Sequence, residues 1–76
     1  MKYYESKEFA EFIEKIVIPG NGDNYYCMYD DGIISEFTDA QSYTPGAKIK
    51  YRVQRDPSKK SVQAYINYFK QMENFI

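Results

Sequence analysis

The chain contains no histidine and no tryptophan, and its 76 residues include one cysteine, three prolines and four glycines. Without histidine the commonest general base and metal ligand is missing, which removes most arrangements for acid–base and hydrolytic chemistry. The lone Cys27 cannot form an internal disulfide and has no basic neighbour to activate it, so it reads as a buried, inert thiol. No run approaches the roughly eighteen apolar residues of a membrane span, and the opening MKYYESKEFAEF lacks the apolar centre of a signal peptide. Asp30, Asp31, Glu36 and Asp39 lack the alternating ligand spacing of a calcium loop, and Gly20-Asn21-Gly22 lacks the lysine of a phosphate loop. These absences lead to the expectation of a cytoplasmic protein that is not an enzyme and needs no cofactor, metal or membrane.

What is present is aromatic. The chain is 43% hydrophobic and 18% aromatic, with nine tyrosines, which is enough to pack a globule and too much for a disordered tail. Its length fits one domain over residues 1–76. The net charge of -1 hides two opposed parts. Over residues 1–46 three lysines face nine carboxylates, leaving -6; over residues 47–76 seven cations face Asp56 and Glu73, leaving +5.

Phe9, Phe12, Ile13 and Ile16 fall at i, i+3, i+4 and i+7, which predicts a helix over residues 6–16 with Ser6 as its N-cap. Val17-Ile18 is β-branched and reads as a short strand before the loop from Pro19 to Asn24. Tyr25 to Tyr29, a turn at Asp30-Asp31-Gly32, and Ile33 to Thr38 read as a β-hairpin. If Cys27 points inward, Tyr25 and Tyr29 share its side and Tyr26 with Met28 look outward; a slip of one residue exchanges the two sets. A loop over residues 39–46 closes on Pro45-Gly46, and residues 47–55 alternate with Ile49, Tyr51 and Val53 on one side. After a turn at residues 56–60, residues 61–68 read as a partner strand with Val62, Ala64 and Ile66 inward. Residues 69–76 are an extension, either a last helical turn or more strand, that packs Met72 and Phe75.

The order KIVI, NYYCMYDDG, IISEFTD and PGAKIKYRVQRDPSKKSVQAYIN resembles the oligonucleotide-binding (OB-fold) barrel class, in particular cold-shock domains and the related S1 RNA-binding domains. The likeness covers residues 15–68 and is closest in the last piece, from Gly46 through Asp56-Pro57 to Ile66. It implies a mostly β (α+β) chain: a small five-stranded OB-like barrel with an added N-terminal helix. The second strand lacks the family's interleaved glycines, and Ile34, Glu36 and Phe37 stand where the family has an aromatic, a histidine and another aromatic.

Two functions follow as expectations. In the first, single-stranded RNA or DNA stacks on Tyr26, Tyr29 and Phe37 while Lys48, Lys50, Arg52 and Lys60 contact phosphates. Lys48, Lys50 and Arg52 recur every second residue, about 6.5 to 7 Å apart by strand rise. In the second, an OB-like scaffold without nucleic-acid binding serves as a protein–protein interaction module, for which tyrosine is well suited. An exposed aromatic strand edge would also suit a homodimer.

Overall fold

Ser6 starts the first helix. Its hydroxyl accepts the Phe9 N–H at 3.1 Å, satisfying one orphan donor of the helix terminus, and α1 (Lys7–Phe12) follows. In this computed structural model, which describes residues 2–39 and 48–73, a 3₁₀ turn (Tyr3–Glu5) precedes α1. Beyond α1 the helix widens into a π turn (Ile13–Val17), closed by the Ile18 N–H to the Ile13 carbonyl at 2.9 Å. The strand expected at Val17-Ile18 is therefore not formed. Val17 lies one turn past Ile13 on the same apolar face and is fully buried there, so the helical face continues to the edge of Pro19.

Three strands follow: β1 (Tyr25–Tyr29), β2 (Ile34–Phe37) and β3 (Ile49–Gln54). Their order is β2-β1-β3, and both outer strands run antiparallel to β1. The β1–β2 hairpin turns as its sequence requires. The Asp31 carboxylate accepts the Ile33 N–H at 3.0 Å, and Gly32 takes a φ of +88° that a side chain would strain.

The expected five-stranded barrel is not what the chain builds. Among the described residues the sheet has three strands and stays open, and the segment read as a closing strand is α2 (Val62–Glu73). Ser61 caps this helix by accepting the Ala64 N–H at 3.2 Å. Val62, Tyr65, Ile66 and Phe69 then recur at helical spacing, with Tyr65 buried and the other three packed against the core. Residues 61–66 also satisfy an alternating pattern, but the helical period holds over twice that length. The architecture is α+β, with helices on one side of a small antiparallel sheet. The loop expected over residues 39–46 and the packing expected of Phe75 lie, apart from Asp39, outside the described residues.

Tyr26 and Met28 of β1 with Tyr51 and Val53 of β3 form the inner face of the sheet, against Phe9, Phe12, Ile13 and Val17. Of the two registers open from sequence, the one that turns Tyr26 and Met28 to the core is adopted. Cys27 faces the other way and is buried as well, in the middle of the central strand. Phe9 meets Phe12, Tyr51 and Phe69 with ring centroids 5.2–6.3 Å apart.

Gly20 is required by close approach. A Cβ there would lie 2.1 Å from the Tyr26 hydroxyl oxygen and 2.7 Å from its ring carbon. Gly20→Ala is expected to lower stability in urea unfolding by about 1–3 kcal/mol, because the buried Tyr26 ring must shift. Gly22, at φ +58° with open space around its Cβ position, is expected to lose about 1 kcal/mol as alanine, from backbone conformation alone.

Candidate functional site

The buried tyrosines fall into a common arrangement: rings in the core, hydroxyls on partners at its margin. Tyr26 donates to Glu36 at 2.7 Å, Tyr51 to Glu8 at 3.0 Å and Tyr4 to Glu73 at 2.5 Å. The Tyr65 oxygen accepts the Asp56 N–H at 3.1 Å and lies 3.3 Å from the Asp56 carbonyl. A buried hydroxyl without such a partner would be costly. Much of the tyrosine content and several of the acids are thereby used in holding the fold together.

Tyr26, expected to stack a base, is therefore a core residue. Tyr29 and Phe37 are half-buried on the helix-free face, at opposite ends of the β1–β2 ladder, about 13 Å apart by strand rise. The three rings form no common platform. The cations are also not a single row. A bulge between Met28 and Tyr29 puts Tyr29 opposite Ile49, leaves Lys50 unopposed, and breaks the even spacing. Lys50 instead pairs with Glu8 on α1 at 2.5 Å. Lys48 precedes β3, Arg52 lies on it and Lys60 sits in the turn before α2, all three exposed.

A different site is built where β3 faces α2. A groove of about 550 Å³ runs there, lined by Arg52, Val53 and Gln54 of β3 and by Tyr65, Tyr68, Phe69 and Met72 of α2. Successive strand side chains point to opposite faces, so three consecutive residues line one groove only if it follows the strand's edge. The backbone agrees. Arg55 donates its N–H to the Asn24 carbonyl at 2.9 Å, so in the antiparallel alternation Val53 and Tyr51 bond to β1. The N–H and C=O groups of Arg52 and Gln54 consequently point away from β1, and among the described residues no strand takes those of Gln54.

The groove is held where β3 runs into the turn before α2. Arg55 donates to the Ile18 and Gly22 carbonyls at 3.2 and 2.5 Å, tying the loop before β1 to the end of β3. Asp56 accepts from Lys59 at 2.6 Å and from the Ser58 hydroxyl and N–H at 2.7 and 2.9 Å. Lys59 first and Ser58 second hold its carboxyl far below the usual carboxylate range. The Lys59 ammonium also lies 4.5 Å from the centroid of the Tyr68 ring. Helix α2 is pinned by Tyr65 on Asp56 at one end and by Glu73 on Lys2 and Tyr4 at the other. It is a fixed wall. The sequence contained a signal for this site that the strand reading missed: Tyr65, Tyr68, Phe69 and Met72 share one helical face only if the segment is a helix.

Among the described residues there is no cluster of three or more His, Cys, Asp or Glu that could hold a metal, and no helix is long and apolar enough to cross a membrane. The acid partners carry a pH signature. Glu8 is lowered by Lys50 and then Tyr51, Glu36 by Asn24 and then Tyr26, and Glu73 by Lys2 and then Tyr4. Lowered carboxyls stabilise the fold fully above their ordinary range, and that contribution is lost as pH falls through the depressed values. The thermal midpoint is expected to drop between about pH 5 and about pH 2, with a flatter slope in the Glu8→Gln, Glu36→Gln, Glu73→Gln triple variant, as read by circular dichroism. At the alkaline end the Glu73 hydrogen bond, with burial second, pushes Tyr4 up to about 12, so its contribution persists below its ordinary range and fades as pH rises through that value. Compared with known proteins, the chain matches no family model, no curated protein and no solved structure.

Proposed function

We propose that the protein is a cytoplasmic, non-catalytic interaction module that takes an extended segment of a partner protein as an added strand along β3, with that segment's side chains resting against α2. The observation that carries this reading is the run Arg52-Val53-Gln54 along one groove, with the backbone groups of Arg52 and Gln54 pointing away from β1. Strand addition needs such a row of backbone donors and acceptors for affinity and a neighbouring pocket for alternate side chains. Tyr65, Phe69 and Val53 supply an apolar floor, and Tyr68 with Met72 supplies an exposed rim.

Charge selects the class of segment. Lys50 is paired with Glu8, and the groove lining, Arg52, Arg55 and Lys59 against Asp23 and Asp56, carries one net positive charge. An acidic segment with apolar side chains at every second position fits that lining, and like charges placed opposite it are destabilising. Nucleic acid would instead use Lys48 and Lys60 with Tyr29 and Phe37 on the far side of the sheet, away from the groove.

The test is an NMR titration of ¹⁵N-labelled protein with an unstructured peptide that alternates acidic and aliphatic residues. Amide shifts are expected at Arg52, Gln54, Tyr68 and Met72, and Gln54→Pro, which removes an N–H from the open edge, is expected to abolish them while the spectrum stays folded. Shifts elicited only by oligo(dT) or oligo(U), and confined to Lys48, Lys60, Tyr29 and Phe37, would replace this reading with the nucleic-acid one.

A further inference from the structure

Helix α2, one wall of the groove, is held differently along its length. Its first half is anchored in the core, where Tyr65 is fully buried and its hydroxyl oxygen takes the Asp56 N–H at 3.1 Å. Beyond Tyr65 no residue of the helix is buried. The far half leans on Phe69, whose ring centroid lies 5.6 Å from that of Phe9 and 6.1 Å from that of Tyr3. It also leans on Glu73, which pairs with the Lys2 ammonium and accepts the Tyr4 hydroxyl at 2.5 Å. Of these partners, Phe9 alone lies outside the N-terminal 3₁₀ turn and its cap. Glu73 stands in the last turn of α2, where a carboxylate opposes the helix dipole, so its position is unfavourable for the helix taken by itself. Its bonds to Lys2 and Tyr4 offset that. The side chains of Lys2 and Glu73 are 60% and 36% exposed, so water screens the pair and the fastening is weak enough to open.

We propose that residues 2–5 are a releasable strap, buckled at Glu73, that holds the far half of α2 in place as the wall of the groove. Release of Glu73 frees residues 69–73 from the core while Tyr65 stays anchored. Phe69 and Met72 line the groove, whereas Lys2, Tyr4 and Glu73 do not. The N-terminal turn and the groove are therefore two sites coupled through one helix end. Whatever detaches Glu73 loosens the wall, and by the same linkage whatever enters the groove by displacing the wall detaches Glu73. The wall is fixed only while its far end is fastened. This coupling holds for any occupant and does not depend on the groove's taking a strand.

Native-state hydrogen exchange on the full chain, read by NMR in low urea, tests this. In the wild type the amides of Phe69 and Met72 are expected to exchange through the same opening as those of Glu5 and Ser6, which bond within the turn to the Lys2 and Tyr3 carbonyls at 3.0 and 3.2 Å. Their opening constants should agree within about twofold and exceed those of Cys27 and Met28 in the central strand at least about a hundredfold. An opening of residues 69–72 shared with Cys27 and Met28, or independent of Glu5 and Ser6, would overturn the proposal. The Lys2→Met, Tyr4→Phe double variant leaves α2 unaltered in sequence and is expected to speed exchange at Phe69 and Met72 at least about tenfold; wild-type rates there would overturn the proposal. Glu73→Ala separates strap from helix, because relief of the dipole predicts slower exchange at the end of α2 and loss of the buckle predicts faster. Slower exchange overturns the proposal. Should neither variant fold, the wild-type measurement decides. No peptide enters these experiments, so their failure leaves the groove reading standing.

Discussion

A core made of tyrosine rings must find a partner for each hydroxyl it buries, and the rest of this structure follows from how that is done. A ring contributes apolar burial and edge-to-face contacts, but its oxygen is expensive to bury unpaired. The chain meets this by setting carboxylates at the rim of the core: Glu8 for Tyr51, Glu36 for Tyr26 and Glu73 for Tyr4, with the Asp56 backbone serving Tyr65. Each pair also crosses between elements, so hydroxyl satisfaction and helix placement are one constraint. Tyr51 ties β3 to α1, and Tyr4 ties the N-terminal turn to the end of α2.

That constraint explains where binding surface is left. The inner face of the sheet is filled by rings, and α2 is fastened by its two ends to the N-terminal turn and to the β3–α2 turn. The groove beside β3 is the space between that fixed helix and the outer edge of β3. The acids used as hydroxyl acceptors sit mostly in the first half of the chain and the cations in β3 and the turn that follows. A charge division that looks like a polyanion footprint in one dimension is, in three, partly spent inside the fold, with Lys50 paired to Glu8 and Lys59 to Asp56.

Parts of this were legible in the sequence. The apolar spacing of Phe9, Phe12 and Ile13 with Ser6 before them gave α1 and its cap, and Asp30-Asp31-Gly32 between two β-rich runs gave the hairpin. Local chemistry decides such elements. The strand at residues 49–54 was equally plain from its alternation. Residues 61–68 were misread because Val62, Ala64 and Ile66 alternate over a short window; Tyr65, half a period out of that pattern, is among the most buried residues and carries the helical period on to Phe69 and Met72. A strand there would close a barrel and leave Tyr26 for base stacking, whereas the helix leaves the sheet open with Tyr26 in the core. The register of residues 25–29 was open because every one of them except Cys27 and Met28 is tyrosine, and a tyrosine suits either face until its hydroxyl partner is known. Glu36, which reads as an intrusion into a nucleic-acid surface, is the partner that fixes Tyr26 inward.

The most direct measurement of the central constraint keeps every ring and removes only the oxygens. Urea unfolding of the Tyr4→Phe, Tyr26→Phe, Tyr51→Phe and Tyr65→Phe variants, singly and combined, should show a lower midpoint for each and a combined variant that has lost cooperative unfolding and its near-ultraviolet dichroism. A combined variant that unfolds as cooperatively as the wild type, at an equal or higher midpoint, would contradict the account, since the rings alone would then suffice to hold the helices on the sheet.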